Sequence, residues 1–375
     1  MPTKKLRTIA VIFGGRTPEH EVSIVSARSV IEGLKITGNT VVPIGITKEG
    51  QWLLGSEAQK LLEGAAPDME HATEGTILPV PIDGTFASSV APRIRTLKSL
   101  DVVFPVIHGP LGEDGSLQGL FELANLPYVG ANVLGSAVGM DKAVMKRLFI
   151  VAGLPVAEFI TFVKGEWLRD RRTILKELSQ LTYPLFVKPA NMGSSVGISK
   201  VHDHKQLAKA IALALTYDRK VLVEKALKGA RDIECSVVGN DFPKSSIPGE
   251  VVSSNEFYDY DAKYVDGKSQ AIIPARLPKA MMRKIQDMAI QAFQAIDLCG
   301  MARVDFLVHG KTIWVNEVNT IPGFTPISMY PKLWDASGIS YPRLLDELVT
   351  LAIERHKEKQ GLSRTYAPKV AWHKK

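Results

Sequence analysis

Apolar positions along the chain change period in a way that sorts it into strands and helices. Thr8 to Phe13 reads as a buried strand, and Gly14-Gly15 ends it. Val22, Val25, Val30 and Leu34 then recur at the spacing of one helical face. A strand, a glycine turn and a helix open an α/β unit. The unit recurs where Asp101 to Ile107 gives a strand and His108 to Gly115 a glycine-rich loop, with Ser116 placed to cap a helix through Ala124. Between the two units, residues 50 to 98 are richer in Gly, Pro and Ser, which predicts short hairpins and loops.

Further along, one helix is expected from about Ser136 to Ala152, stopped by Gly153-Leu154-Pro155. Tyr183 to Lys188 reads as a strand that meets the polar loop Asn191 to Gly197 before a second strand to Val201. Val221 to Lys225 and Asp232 to Val238 are further strands, and Met281 to Leu298 and Leu344 to His356 are amphipathic helices. Met301 to Val308 and Thr312 to Asn319 flank a turn at His309-Gly310-Lys311 and read as an antiparallel hairpin. The expected register has a three-residue loop with Gly310 at positive φ, pairing Arg303 with Glu317 and Asp305 with Val315 on one face.

The chain has 375 residues, 45% of them hydrophobic, enough for two or three domains. No stretch nears the roughly 18 apolar residues of a membrane span, and the start runs into a strand without an apolar leader. The expectation is a cytoplasmic protein without a membrane partner. Two cysteines, Cys235 and Cys299, are too few for a disulfide framework or a four-ligand zinc site and read as buried thiols. The net charge of +7 is spread among acids with no basic run of five or more, which argues against a nucleic-acid partner and suits basic residues facing a polyanionic nucleotide.

Three features carry chemistry. The loop Gly193-Ser194-Ser195-Val196-Gly197 is small and hydroxylic, so its backbone amides can close over phosphate oxygens. It lacks the Gly-Lys-Ser/Thr of a P-loop, and the chain has no Gly-x-Gly-x-x-Gly after a strand, which removes the Walker-type NTPase and the nicotinamide oxidoreductase. Lys188 ends the apolar run Pro184 to Val187 and Lys142 starts a helix just upstream, two cations for the phosphates. The hairpin puts Arg303 beside Asp305 and Glu317 beside Asn319 on alternating positions. Asp305, Glu317 and Asn319 are hard oxygen donors suited to Mg²⁺, and acids inside apolar strands are costly without a cation.

With these stand the segments Gly14-Gly15 and His20-Glu21-Val22-Ser23, His108 to Gly115, Met140-Asp141-Lys142, Val187-Lys188-Pro189, Gly193 to Gly197, Glu256 to Tyr264, Arg303-x-Asp305, and Asn316 to Thr325. In that order and spacing, from about residue 8 to 357, they resemble D-alanine:D-alanine ligases. The resemblance implies an α/β, three-domain ATP-grasp fold, with ATP between two antiparallel sheets and a Rossmann-like N-terminal domain. The divisions expected are 1–132, 133–225 with the phosphate loop, and 226–375 with the metal site and a lid at Glu256 to Tyr264.

It implies that Lys142 and Lys188 contact ATP together with Gly193, Ser194, Ser195 and Val196. Glu224, Lys225 and Leu227 meet the adenine edge, Asp232 stands where many relatives place Glu against the ribose, and Lys263, Phe306 and Asn316 complete the nucleotide site. Asp305, Glu317 and Asn319 hold two Mg²⁺ ions, with Mn²⁺ as a substitute. Glu21 pairs with the ammonium of the first of two D-alanines, His108 lies beside that substrate, and Ser328 and Met329 lie against the second. Arg303 and the Gly323 N–H stabilise the oxyanion, while Ser194 and Tyr264, linked to Glu21, order the lid. Tyr264 and Lys263 point to an amine nucleophile. The product implied is D-alanyl-D-alanine for peptidoglycan, made by a homodimer; the alternatives are a ligase using D-lactate or D-serine, or a non-catalytic nucleotide-binding regulator on the same fold.

Overall fold

The apolar run at the start of the chain becomes the middle strand of a parallel sheet, Thr8–Gly14, paired on one side with Thr40–Ile46 and on the other with Val102–Pro105. Trp52–Leu53 adds an antiparallel edge. The computed structural model describes residues 6–67, 77–82, 85–90, 93–96, 100–252, 270–325 and 327–363. The strand is apolar and buried from Ile9 to Phe13 because both faces are covered. Ile9, Val11 and Phe13 meet helices His20–Ile36 and Tyr341–Gln360, while Ala10 and Ile12 meet Leu117 and Phe121 of helix Ser116–Leu123. The stretch 50–98 holds an antiparallel sheet of Ile77–Ile82, Thr85–Val90 and Arg93–Thr96, and also a helix, Gly55–Glu63, where only hairpins and loops were expected. Ser116 is the first helical residue and not the cap. Gly115, at φ 91°, precedes it, and the Ser116 N–H donates to Asp114 Oδ1 at 2.9 Å.

A second, fully antiparallel sheet runs in the order Ser199–Val201, Leu185–Pro189, Lys220–Lys225, Phe159–Val163, with helix His204–Tyr217 in its core. A third has the order Gln270–Ile272, Gly249–Val252, Arg231–Gly239, Gly300–His309, Thr312–Asn319, and Lys244–Ser245 on the side of Arg231–Gly239. Helix Lys279–Ala295 covers one face of it. The single helix expected from Ser136 to Ala152 is two, Val133–Met140 and Lys142–Val151. Asp141 breaks it by turning extended, and its carboxylate accepts from the N–H groups of Ala143 and Val144, both at 3.1 Å, capping the second helix. Met145 and Phe149 of that helix pack with Ile233 and Phe306 of the third sheet. No helix among the described residues is long and apolar enough to cross a membrane.

The register of the hairpin differs from the expected one. The turn has two residues, Gly310 and Lys311, with His309 opposite Thr312, Leu307 opposite Trp314 and Phe306 opposite Val315. Gly310 has φ 58° as expected, and positive φ at the first turn position suits a type II′ turn. Continued regularly, this register would send Glu317 to the core face. The ladder shifts between Asp305 and Phe306, so that Asp305 faces Glu317 and Arg303 faces Asn319. Asn316 is the extra residue, a β-bulge. The expected common face for Asp305 and Glu317 is met by a different route.

Phe324 joins the first sheet to the C-terminal helices: it is fully buried, edge-on to Phe104 at 5.8 Å and tilted against Tyr330 at 5.4 Å. Phe324→Ala is expected to cost about 3–5 kcal/mol and Phe324→Leu distinctly less, read as a fall in the urea unfolding midpoint; a midpoint unchanged by the alanine would show that this junction carries little stability.

Candidate functional site

The second and third sheets face each other across a cleft of about 410 Å³, and loops of the N-terminal unit close one end. Phe186, Lys188 and Glu224 to Leu227 line it from the second sheet, and Asp232, Arg303, Asp305, Phe306, Asn316, Glu317 and Asn319 from the third. Glu19 and His108 come from the N-terminal unit, and Gly323, Ser328 and Met329 from the segment after the hairpin.

Buried charge dominates the wall formed by the second sheet. Glu224 is 2% exposed, one carboxylate oxygen held by Lys188 and the other 3.1 Å from Lys146 Nζ. Burial would raise its pKa, but the two ammonium groups outweigh that and hold the carboxylate at about 2. Burial pulls Lys146 down against the pull of Glu224, whereas Lys188, buried too, is raised overall by Glu224 and Glu317. Lys142 Nζ donates to the Met192 carbonyl at 2.7 Å and lies 3.6 Å from Glu317 Oε2. It thereby ties the first turn of its helix to the polar loop and to the third sheet.

That loop is held in an uncommon backbone conformation. Ser194 and Ser195 both have positive φ, 45° and 61°, a region that non-glycine residues rarely enter and that turns successive amides to one side. Strain of this kind persists where the surroundings impose it. Ser194 Oγ donates to Glu19, a residue 7% exposed. The Glu19 carboxylate occupies space that only glycine neighbours leave: a Cβ on Gly109 or Gly193 would lie 2.6 or 2.7 Å from its Oε2. Glu113 accepts from the N–H groups of Gly109 at 2.6 Å and Ile321 at 2.9 Å. Its burial, with the charge of Glu19 nearby, pushes its pKa up to about 8. His108 Nδ1 lies 2.9 Å from the Ile321 carbonyl, which only accepts, so the proton is on Nδ1. Nε2 faces Ser26 Oγ at 3.1 Å, and burial lowers the histidine's pKa, favouring the neutral ring.

On the third sheet Asp305 is gripped side-on by Arg303, Nε and NH2 each at 2.7 Å, and Asn319 Nδ2 donates to the same carboxylate at 3.0 Å. Arg303 Nε also lies 3.0 Å from Glu234 Oε2. Among the described residues no three acidic, histidine or cysteine side chains converge as metal ligands. The donor set is instead two carboxylates facing each other across the ladder and one amide on the same face. These hard oxygens at the cleft wall fit a divalent cation, which would compete with Arg303 for Asp305 and with Lys142 for Glu317.

Two family models match the chain, the D-ala D-ala ligase N-terminus over residues 8–131 and the D-ala D-ala ligase C-terminus over residues 148–350. The chain belongs to the D-alanine–D-alanine ligase family. Relatives include D-alanine–D-alanine ligases of Thermoanaerobacter sp. (strain X514), 52% identical over 94% of this chain and 98% of the relative, and of Geobacillus thermodenitrificans, 47% identical over 96% and 98%. Among solved structures, VanG D-Ala:D-Ser ligase from Enterococcus faecalis superposes with TM-score 0.82 at 37% identity, covering 93% of this chain and all of that one. The D-alanine–D-alanine ligase from Coxiella burnetii gives 0.81 at 38%, covering 95% and 97%. The mixed α/β, ATP-grasp architecture expected from the sequence is the one these ligases share with this chain.

Within this ligase most of the residues singled out in the sequence meet at the cleft, and two of the described ones, Glu21 and Val196, do not line it. Glu21 is directed to solvent and pairs with Lys48 at 2.5 Å, both side chains 61% exposed. The helix begins at His20 and puts Glu21 on the face of Val25 and Arg28, which are exposed, while Glu19, just before it, turns inward. Glu19, and not Glu21, lines the cleft. Val196 belongs to the polar loop but not to the cleft lining. Lys263 and Tyr264 lie outside the described residues. Glu19, Glu113, Lys146 and Glu234 were not anticipated. Lys146 stands four residues after Lys142, the helical spacing that could have shown it.

Glu113 gives this ligase a pH signature. Folded, it titrates at about 8 against an ordinary 4.5, so the native state binds its proton more tightly. Its contribution to stability is full below the unfolded pKa and declines as pH rises through 8. The stability of the parent relative to Glu113→Gln is expected to fall between pH 5 and 8, measured by urea unfolding across that range; a constant difference would mean that Glu113 does not titrate there.

Proposed function

We propose that this chain joins two D-alanines to D-alanyl-D-alanine with conversion of ATP to ADP and phosphate, supplying a peptidoglycan precursor. The observation that carries this reading is the convergence, in one cleft, of a strained polar loop with Lys142 and Lys188 on one wall and Asp305, Glu317 and Asn319 on the other. A cationic wall, a loop of small residues and an oxygen-donor face are what transfer of a phosphoryl group requires.

In this reading Lys142, Lys188 and the Gly193 to Gly197 amides bind the phosphates of ATP, and Glu224 to Leu227, Asp232, Phe306 and Asn316 bind its base and ribose. Asp305, Glu317 and Asn319 would hold Mg²⁺, which when bound neutralises charge on the transferring phosphoryl group. Glu19, in place of Glu21, takes the ammonium of the first D-alanine beside His108. An oxygen of that substrate's carboxylate attacks the γ-phosphorus and ADP departs, leaving an acyl phosphate. The amine of the second D-alanine, held near Ser328 and Met329, attacks the acyl carbon. Arg303 and the Gly323 N–H stabilise the oxyanion, after which phosphate leaves with the electrons of the C–O bond and the amine loses its proton. The Ser194–Glu19 link holds the loop over the acyl phosphate and keeps water away. The same reading takes the enzyme as a cytoplasmic homodimer, accepts Mn²⁺ for Mg²⁺, and assigns the lid with Lys263 and Tyr264 to selection of an amine nucleophile.

Incubation with ATP, Mg²⁺ and single amino acids tests this. Phosphate release is expected to depend on D-alanine and not L-alanine and to match dipeptide identified by mass; equal rates with L-alanine, or a preferred product with D-lactate or D-serine, would overturn the named reaction. Glu19→Gln should lower kcat/KM for the first D-alanine by about a hundredfold or more, since a buried charge-assisted bond is lost. Glu21→Gln should stay within about threefold, as an exposed ion pair contributes little. Steady-state kinetics with the reverse ranking would restore Glu21 to the site.

A further inference from the structure

We infer that Lys146, which does not line the cleft, is a positioning residue that allows Lys188 to release Glu224 and turn to the phosphates of a bound nucleotide. The inference rests on the nucleotide reading above and adds a residue to it. Lys146 is 1% exposed and lies one helical turn beyond Lys142, whose own ammonium reaches the cleft. Its Nζ is 3.1 Å from Glu224 Oε2, and apart from this ion pair neither atom has a partner among the described residues. Glu224 is thus shared between two lysines, only one of which lines the cleft.

A carboxylate buried to this extent cannot be left unpaired without a large penalty. If Lys188 were its only cation, phosphate oxygens could recruit Lys188 only by stranding Glu224. With Lys146 in place, Glu224 keeps one full ion pair when Lys188 moves, so nucleotide binding exchanges one pairing for another. The groups facing this cluster from the surrounding strands are Glu317 and Asp232, whose charges also act on Lys188. Neither touches Glu224 in place of a cation, so the duty falls on Lys146.

The test is direct titration of the folded enzyme with an imido-bridged, non-hydrolysable ATP analogue and Mg²⁺ at pH 6 and pH 8. In Lys146→Met the released Glu224 must take up a proton for Lys188 to engage the phosphates. Its affinity is expected to be weaker than the parent's by at least about tenfold at pH 8 and to recover toward the parent at pH 6. The double variant Lys146→Met/Glu224→Gln has no carboxylate to strand and should show only the parent's pH dependence. The KM for D-alanine should be unchanged in Lys146→Met, which a general loss of structure would not allow. Should Lys146→Met fail to fold, Lys146→Gln, which keeps a donor toward Oε2, is titrated with the same expectation at smaller amplitude. Affinity equal to the parent's at both pH values, or a pH dependence that persists in the double variant, overturns the inference; a parent that binds no nucleotide overturns the nucleotide reading itself and this inference with it.

Discussion

The geometry of the site depends on one extra residue. A two-residue turn at Gly310-Lys311 sets a register in which Asp305 and Glu317 would point to opposite faces of the sheet. The bulge at Asn316 corrects the parity, and from there to the end of the strand every side chain is displaced to the other face. Val318 can then pack in the core while Asn316, Glu317 and Asn319 all line the cleft. Removing the bulge would do more than move one ligand. It would bury Glu317 against Val304 and Val315 and turn Val318 outward, so the core of the third sheet and the acid face of the cleft stand or fall together.

The acids so displayed are held by cations of the protein itself. Arg303 grips Asp305, Lys142 approaches Glu317, and Lys188 with Lys146 encloses Glu224. In a partly dry cleft these pairings offset desolvation that would otherwise protonate the acids or open the sheets. They also mean that a polyanion and metal of the kind proposed would rearrange pairs that exist and would not meet bare charges. A site built this way resists collapse while empty, and its ligand affinity is set by the difference between two sets of ion pairs.

Much of this was legible in the sequence. Continuous apolar runs marked the buried strands, and the small loop, the two cleft lysines and the alternating acids of the hairpin fell at the cleft as expected. The failures have specific causes. Glu21 was placed at the site by the resemblance alone, and the helical pattern that counted Val25 in the core gave no warning; Val25 is exposed and Glu21 shares its outward face. Asp141 was read as part of a continuing helix because its capping role depends on a backbone turn that composition does not display. The bulge had left a trace: Ile313, Val315 and Val318 are spaced by two and then three, and the polar pair Asn316-Glu317 sits where the alternation slips. The partners of Lys146 and Glu113 are far away in the chain, and periodicity does not report on long-range pairing; only the helical spacing from Lys142 hinted at Lys146.

Glu19 links the two ends of the cleft in a way that bears on the order of events. Its carboxylate sits against Gly109 of the N-terminal unit and Gly193 of the phosphate loop, and it accepts from Ser194. Under the proposed reaction the same carboxylate takes the first substrate's ammonium. Before that substrate arrives, Glu19 shares its surroundings with Glu113, whose pKa burial and the charge of Glu19 push up. An ammonium held by Glu19 would relieve that repulsion while Glu19 still accepts from Ser194. Under the proposed reaction the first amino acid would thereby tighten the hold on a loop whose positive-φ serines are costly to maintain. In the proposed reaction nucleotide and first substrate would be coupled through that loop before any bond is made.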